Sequence, residues 1–203
     1  DFKKTAYALA LEHLEFWRQK RVFTETAIAR MQEVEFASEL IILSMSGMQD
    51  KKKSIDDFYE RYDEEFEDSR LVSKRFRSVI DEINSLNIDL GGTEFRRTPL
   101  FYSLFAAIYD RMYALAAGSL STKVTGKLTA TDREGLENAV QTLSEVVTEA
   151  KAKSGEPIPK RYERFVTACL RQTDNLAPRR VRMETIYRDR KSTRLNSSHT
   201  DIS

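Results

Sequence analysis

The sequence predicts an all-α fold in which about eight amphipathic helices pack as an irregular multi-helix bundle. Apolar residues recur at spacings of three and four almost throughout the 203-residue chain, which is the period of a helix with one buried face. Strand-like alternation is limited to a weak hint at residues 124–128. Hydrophobic residues make up 40% of the chain, which is too many for wholesale disorder, and they form no run of 18 or more that would predict a membrane span.

Four helices are predicted in the first 90 residues, and each carries one apolar stripe. We expect the second helix to stop at Gly47, because glycine readily takes the backbone conformation found just beyond a helix. Ser54 is placed to cap the third helix, and the fourth ends before Gly91 and Gly92. The four stripes are Tyr7, Ala10, Leu11, Leu14 and Trp17; Val34, Ala37, Ile41, Met45 and Met48; Ile55, Phe58, Tyr59, Tyr62 and Phe66; and Val72, Phe76, Val79, Ile80, Ile83 and Leu86.

The fifth predicted helix is apolar on its flanks as well as on its stripe, so we expect it to be central. Thr98 is placed to cap it, with Pro99 at the first helical position. A loop at 118–129 follows, and residues 131–134 (TDRE) resemble a capping box that opens the next helix. Residues 154–157 break the chain, residues 174–175 stop the following helix, and Pro178 starts a short last one to about Arg190. The stripes are Phe101, Leu104, Phe105, Ile108, Met112 and Leu115; Leu136, Val140, Leu143, Val147 and Ala150; and Ile158, Tyr162, Phe165, Val166 and Cys169.

We assign residues 1–190 to one helical domain, a fragment of a longer protein. Residues 191–203 have no apolar period and resemble translated adapter read-through, so we expect a non-native, disordered tail; the alternative is a genuine polar tail. A single cysteine excludes a disulfide framework and a cysteine-based zinc site, and it fits a reduced, cytoplasmic compartment.

Charge is unevenly distributed along the chain. Residues 151–191 hold 12 Lys and Arg against 5 Asp and Glu, whereas residues 1–150 hold 20 against 26. A basic helical end can neutralise nucleic-acid phosphates. The alternative is a solvated surface, or pairing with the acidic residues between 56 and 68. The candidate DNA contacts are Lys160, Arg161, Arg164, Arg179, Arg180 and Arg182, with Arg96 and Arg97 as further candidates whose competing role is pairing with nearby carboxylates.

No catalytic motif occurs in the chain, so we name no catalytic residue and no metal ligand. His13 has no second His or Cys at ligand spacing, and Cys169 lies on an apolar stripe, as inert buried thiols do. The carboxylates at 63–68 could attract Mg²⁺, but neighbouring residues on a helix point in different directions, which favours a solvated face. The aromatic residues Trp17, Phe58, Phe101 and Phe105 are expected in the core.

Several stretches resemble the helical region of GmrSD-type proteins, which are bacterial phage-defence restriction factors. These stretches are residues 11–18 (LEHLEFWR), 39–42 (ELII), 47–56 (GMQDKKKSID), 59–66 (YERYDEEF) and 95–105 (FRRTPLFYSLF), together with the order of Asp174, Asn175 and the arginines after them. The resemblance covers roughly residues 1–190. It implies a ParB/sulfiredoxin-like N-terminal domain in the parent protein, which could use a nucleotide and Mg²⁺. The Asp-Gly-Gln-Arg motif of that domain is missing here, and no cofactor is expected in this fragment.

Two functions therefore compete. In the first, the chain is the helical DNA-facing or supporting module of a restriction nuclease whose catalytic domain is absent. In the second, it is a scaffold that binds protein partners or forms a homo-oligomer, with the basic end of one copy meeting residues 56–68 of another. An enzyme in its own right ranks below both, because no constellation of residues supports it.

Overall fold

A computed structural model describes residues 1–152, 158–171 and 173–197, with side chains at all of these positions except 51–54 and 191–197. Within them the chain forms ten α-helices and no strand, which confirms the all-α prediction; eight of the ten have more than six residues. The helices are α1 (Phe2–Glu12), α2 (Leu14–Gln19), α3 (Glu25–Ile28), α4 (Gln32–Ser46), α5 (Lys51–Arg61), α6 (Ser69–Ser85), α7 (Thr98–Tyr113), α8 (Ala130–Ala152), α9 (Lys160–Leu170) and α10 (Leu176–Ser197).

The helix α7 is central, as its apolar flanks predict. Every residue from Leu100 to Asp110 is buried, so this helix is covered on all sides. The helices α4, α6 and α10 contact it, while α1 packs on α4, and α8 and α9 pack on α10. Two short 3-10 turns, Leu90–Gly92 and Glu94–Arg96, connect α6 to α7.

Trp17 is the centre of an aromatic cluster that joins α2, α4 and α7. Its side chain is fully buried, and edge-to-face pairs link it to Phe16, Phe23, Phe36 and Phe101 at centroid distances of 5.1 to 6.3 Å. This geometry places the positive ring edges over negative ring faces. The expected core positions of Trp17, Phe58, Phe101 and Phe105 are all confirmed by their burial.

The predicted buried face of the first helix is wrong in part. Tyr7 and Leu11 are 49% and 55% exposed, although Ala10 and Trp17 are buried. The helix instead turns Phe2, Ala6, Leu9 and Ala10 inward, and it packs on α4. The helical path is interrupted at His13 before α2 begins, so one continuous stripe does not run through both.

Helix ends agree with the sequence at Gly47 and differ at several other places. The helix α7 already begins at Thr98, after an N-cap at Arg97, and α9 ends at Leu170, before residues 174–175. Gly47 follows the last residue of α4 with φ +79°, and a Cβ there would lie 2.9 Å from the Ala117 carbonyl oxygen. Ser54 does not cap α5, because that helix begins three residues earlier, at Lys51. The capping box of α8 is formed by Thr129 and Asp132: the Asp132 N–H donates to Thr129 Oγ1 (3.1 Å), and Thr129 N and Oγ1 both donate to Asp132 Oδ2.

The last helix is longer than predicted. It begins at Leu176 and continues to Ser197, beyond Arg190. The region after Gly118 is a loop, as expected, and residues 124–128 form no strand. The predicted chain break at 154–157 and the end of the expected tail, residues 198–203 with His199, lie outside the described residues.

Candidate nucleic-acid interface

The eight residues that the sequence offered as DNA contacts fall into three groups by exposure. Five are exposed on the surface, one is half-buried, and two are inside the protein. The exposed residues are Arg96, Lys160, Arg161, Arg164 and Arg180; Arg97 is half-buried; Arg179 and Arg182 are buried.

The outward face of α9 carries three of the exposed cations in its first two turns. Lys160 and Arg164 are four residues apart and lie on the same side of the helix, and the guanidinium of Arg161 stacks over the Tyr162 ring at 4.5 Å. The opposite face is apolar and packs into the core. Its buried residues are Tyr162, Phe165, Val166, Ala168 and Cys169.

Arg180 on α10 extends this surface. Arg164 and Arg180 line one open hollow of about 460 Å³ between α9 and α10, which Asp50 and Glu184 also line. Asp50 has a structural role there, because its Oδ1 accepts a hydrogen bond from Leu176 N at the first residue of α10 (2.5 Å). Two guanidinium groups on neighbouring helices thus face solvent, with carboxylates beside them.

Arg179 does not belong to this surface, and its predicted contact with phosphate is wrong for this fold. It is 3% exposed and forms a buried ion pair with Glu39 of α4. Its Nη1 donates to the Gln49 carbonyl (3.2 Å), and its guanidinium lies 4.0 Å from the Tyr102 ring centre. The side chain therefore joins α10 to α4 and α7.

Arg182 is also a structural residue, because it is fully buried. Its guanidinium donates to Ser103 Oγ (3.0 Å), to the Ala168 carbonyl (2.6 Å) and to the Thr173 carbonyl (2.7 Å). The Ala168 carbonyl is in the last turn of α9, where carbonyl groups lack partners within the helix. Arg182 therefore closes the C-terminal end of α9, and burial lowers the pKa of its guanidinium to about 10.

Arg97 has the intramolecular role that the sequence offered as its alternative. Its Nη1 lies 3.2 Å from Glu94 Oε2, which Lys151 also contacts at 2.5 Å. Burial alone raises the pKa of Glu94, but these two cations outweigh it and hold the pKa below its ordinary value. Arg96 is exposed, and its contact with DNA stays a prediction.

A second charged cluster lies at the other end of α10, and the sequence did not single it out as a site. Arg111 of α7 and Arg190 of α10 both contact Asp132 of α8. The contact between Arg190 and Asp132 joins residues 58 positions apart. No local sequence spacing predicts this contact, although an arginine near the end of the apolar helix α7 indicates that a charged contact forms there.

The remaining polar candidates show no catalytic geometry. Cys169 is buried, as predicted, and burial raises the pKa of its thiol to about 12. His13 donates from Nδ1 to the Leu9 carbonyl (2.8 Å) and packs on Phe76. Among the residues that the structure describes, no group of three or more His, Cys, Asp or Glu side chains could hold a metal ion.

Comparison with protein-family models, with curated proteins and with solved structures gives no match. Within the described ranges, no helix has the length and apolar content needed to cross a bilayer.

Proposed function

We propose that this chain is a DNA-facing helical module that contacts the phosphate backbone through the exposed cations of α9 and α10. The observation that carries the proposal is that Lys160, Arg161, Arg164 and Arg180 are all exposed on two helices in contact. They are held at fixed spacing because α10 is tied into the core by the buried Arg179 and Arg182 on its other face.

The interaction would position DNA without reading its sequence. Lysine and arginine that meet phosphates fix the orientation of a protein on the duplex but carry no base information. Between residues 160 and 184 the exposed described residues include five Lys and Arg and three Asp and Glu, so the positive excess is modest. We expect an affinity in the range of non-specific binding, with a Kd of about 10⁻⁴ to 10⁻⁶ M at physiological salt.

The test is a four-residue variant of the full chain, in which Lys160, Arg161, Arg164 and Arg180 are changed to alanine. Fluorescence anisotropy with a labelled duplex at several salt concentrations gives the affinity and its salt slope. We expect weaker binding and a slope that is shallower by about 0.9 for each phosphate contact removed. Substitution of Arg179 and Arg182 is unsuitable, because it would disrupt the core.

A control variant removes four positive charges elsewhere on the surface. Lys4, Arg30, Arg70 and Lys74 are exposed, and none lies on α9 or α10. Changing these four to alanine lowers the net charge equally and should leave most of the binding in place. If the two variants bind alike, or if the first binds as the unchanged protein does, DNA does not use the α9–α10 surface.

The resemblance to the helical region of GmrSD-type proteins is what assigns such a module to a restriction nuclease. In that setting a ParB-like domain would supply the chemistry, with a nucleotide and Mg²⁺, and this module would hold the duplex beside it. Co-expression with a candidate upstream domain and a DNA-cleavage assay would test the assignment separately from DNA binding.

A second candidate function is association between copies of the chain. It is favoured by a specific observation: eight carboxylates in α5 and the turn after it are all exposed. They are Asp56, Asp57, Glu60, Asp63, Glu64, Glu65, Glu67 and Asp68. The α9–α10 cations of one copy could meet this acidic segment of another. A molar mass that rises with protein concentration in light scattering and falls with salt, with no DNA binding, would favour this function.

A further inference from the structure

Two partly buried guanidinium groups share a single carboxylate where α7, α8 and α10 meet. Arg111 Nε and Nη2 lie 3.1 Å from the two oxygens of Asp132, and Arg190 Nη1 contacts the same carboxylate. The side chains of Arg111, Arg190 and Asp132 are 17%, 9% and 9% exposed. Removing charges from water is costly unless opposite charges offset the cost. Two cations around one anion leave a net positive charge, and this local environment favours a further anion.

The carboxylate of Asp132 has little capacity left for other donors. Besides the two arginines, it accepts hydrogen bonds from Thr129 N (3.3 Å) and Thr129 Oγ1 (2.8 Å). Burial alone raises the pKa of Asp132, but the hydrogen bonds from Arg111 and Thr129 and the charge of Arg190 outweigh it and hold the pKa below its ordinary value. The group is therefore a fixed anion that orients the two guanidinium groups.

These residues form one wall of a pocket of about 370 Å³. Lys123 contributes a third cation to the lining, and Ser121, Thr122 and Thr131 contribute hydroxyl groups. The lining thus carries three positive charges against one negative charge. Hydroxyl and guanidinium donors around a positive pocket are the groups that bind phosphate oxygens.

The loop that carries Lys123 is held in place by a buried carboxylate. Asp110 is fully buried in α7, and it accepts hydrogen bonds of 2.9 Å from Leu115 N, Leu120 N and Ser121 N. Arg111 Nη1 donates to the Lys123 carbonyl. The pocket is therefore preorganised, which lowers the entropic cost of binding a ligand.

The pocket also adjoins the beginning of α8, a helix of 23 residues. Thr131 lies in its first turn, where the aligned peptide dipoles create a partial positive charge. Anions are stabilised at such helix ends. This effect adds to the side-chain charges.

We propose that this pocket binds a small molecule carrying a phosphate monoester. A phosphate monoester has a charge of about −1.5 to −2 at neutral pH, which matches the excess of two positive charges in the lining. A phosphodiester has only one negative charge for the same group. The site is separate from the α9–α10 surface, because Arg190 follows Arg180 by ten residues, or about 15 Å of helix, and the proposal does not depend on DNA binding.

The test is a calorimetric titration of the full chain with inorganic phosphate at constant ionic strength, with chloride as the reference anion. The decisive variant is Lys123→Met, because Lys123 is exposed and its removal leaves Arg111 and Arg190 in place. We expect phosphate to bind about tenfold more weakly to this variant, which corresponds to about 1.4 kcal/mol. The matched control is Lys127→Met, four residues further along the same loop and also exposed, which should bind as the unchanged protein does.

Three results would overturn the proposal. One is phosphate binding no stronger than chloride binding in the unchanged protein. Another is equal affinity in the Lys123→Met and Lys127→Met variants. The third is loss of phosphate binding when Lys160, Arg161, Arg164 and Arg180 are replaced, because phosphate would then occupy the α9–α10 surface. A duplex DNA that binds without displacing phosphate is the result expected for two separate sites.

Discussion

Arg179 and Arg180 are neighbours in the chain with opposite surroundings, and this gives a sharp test of the structure. Arg179 is buried against Glu39 and Tyr102, whereas Arg180 is exposed beside Arg164. A sequence-based view treats both as members of one basic patch. The structure predicts that Arg179→Met destabilises the fold and that Arg180→Met does not.

The magnitude follows from burial of the ion pair. The side chains of Arg179 and Glu39 are 4% and 5% exposed, and removing one partner of such a pair costs about 3–5 kcal/mol because the other charge stays in a low-dielectric site. For a chain of this length, that corresponds to a Tm lower by roughly 10 °C. Arg180→Met should change the free energy of unfolding by less than about 0.5 kcal/mol, as exposed substitutions do.

Urea unfolding followed by far-ultraviolet circular dichroism measures both values. A third variant, Glu39→Gln, and its combination with Arg179→Met complete a double-mutant cycle that isolates the coupling between the two side chains. A structural role for Arg179 is refuted if Arg179→Met lowers the free energy of unfolding by less than about 1 kcal/mol, or if both methionine variants are destabilised equally. A coupling energy near zero would likewise contradict a buried ion pair.

Three further predictions concern other parts of the fold. The pKa of Asp132 lies below its ordinary value, so its contribution to stability is present above the unfolded-state pKa of about 3.9 and is lost as the pH falls through the folded-state pKa. Urea midpoints of Asp132→Asn should therefore lie below those of the unchanged protein at pH 7 and approach them below about pH 4. Gly135→Ala should destabilise by about 1–3 kcal/mol in the same assay, because the added Cβ would overlap the backbone carbonyl oxygen of Arg190 and lie 2.9 Å from its Cγ; a gain in stability would contradict that packing. Cys169 is buried, with a thiol pKa of about 12, so a disulfide reagent at pH 8 should label it only as urea unfolds the chain, and rapid labelling of native protein would contradict its burial.

The fold class was predictable because the spacing of apolar residues is by itself enough to indicate helices. All six predicted stripe residues of the fourth predicted helix are buried, five of them in α6 and Leu86 directly after it, since this helix has one solvent-exposed face and one buried face. The apolar period does not predict the buried face of α1, where Tyr7 and Leu11 are large but exposed. There the buried face includes Ala6 and Ala10, and small residues give a weak signal in a pattern defined by large apolar side chains.

Helix starts were less predictable because several residues near each start can cap. The sequence favoured Thr131, but Thr129 has a partner three residues later in Asp132, and the observed reciprocal hydrogen bonds follow that spacing. At α5 the helix begins at Lys51, so Ser54 lies inside it. Residues that can cap a helix can also occupy positions inside one. Only the packing of the whole chain decides which of the two roles such a residue takes.

The charged site was only partly predictable, because helical spacing indicates which residues face the core but not which groups they contact there. On α10 the buried positions include Arg179, Arg182, Met183 and Ile186, whose spacing of three and four continues an apolar stripe with two arginines in it. The helical spacing of these residues can be read from the sequence, but the groups that accept hydrogen bonds from the two arginines cannot. Glu39 and Ser103 lie 140 and 79 residues away along the chain.

The net charge of the C-terminal segment therefore overstates the electrostatic field that DNA would meet at the α9–α10 surface. Residues 151–191 have a formal charge of +7, but Arg179, Arg182 and Arg190 direct their guanidinium groups to acceptors inside the protein. These three bind α10 to α4, α7, α8 and α9. They contribute little to the α9–α10 surface that DNA would meet, because salt screens charges over about 10 Å. Only cations on the outer faces of α9 and α10 can release counterions from a polyanion. The number of exposed cations, and not the formal charge of the segment, should thus set the salt slope of any DNA binding.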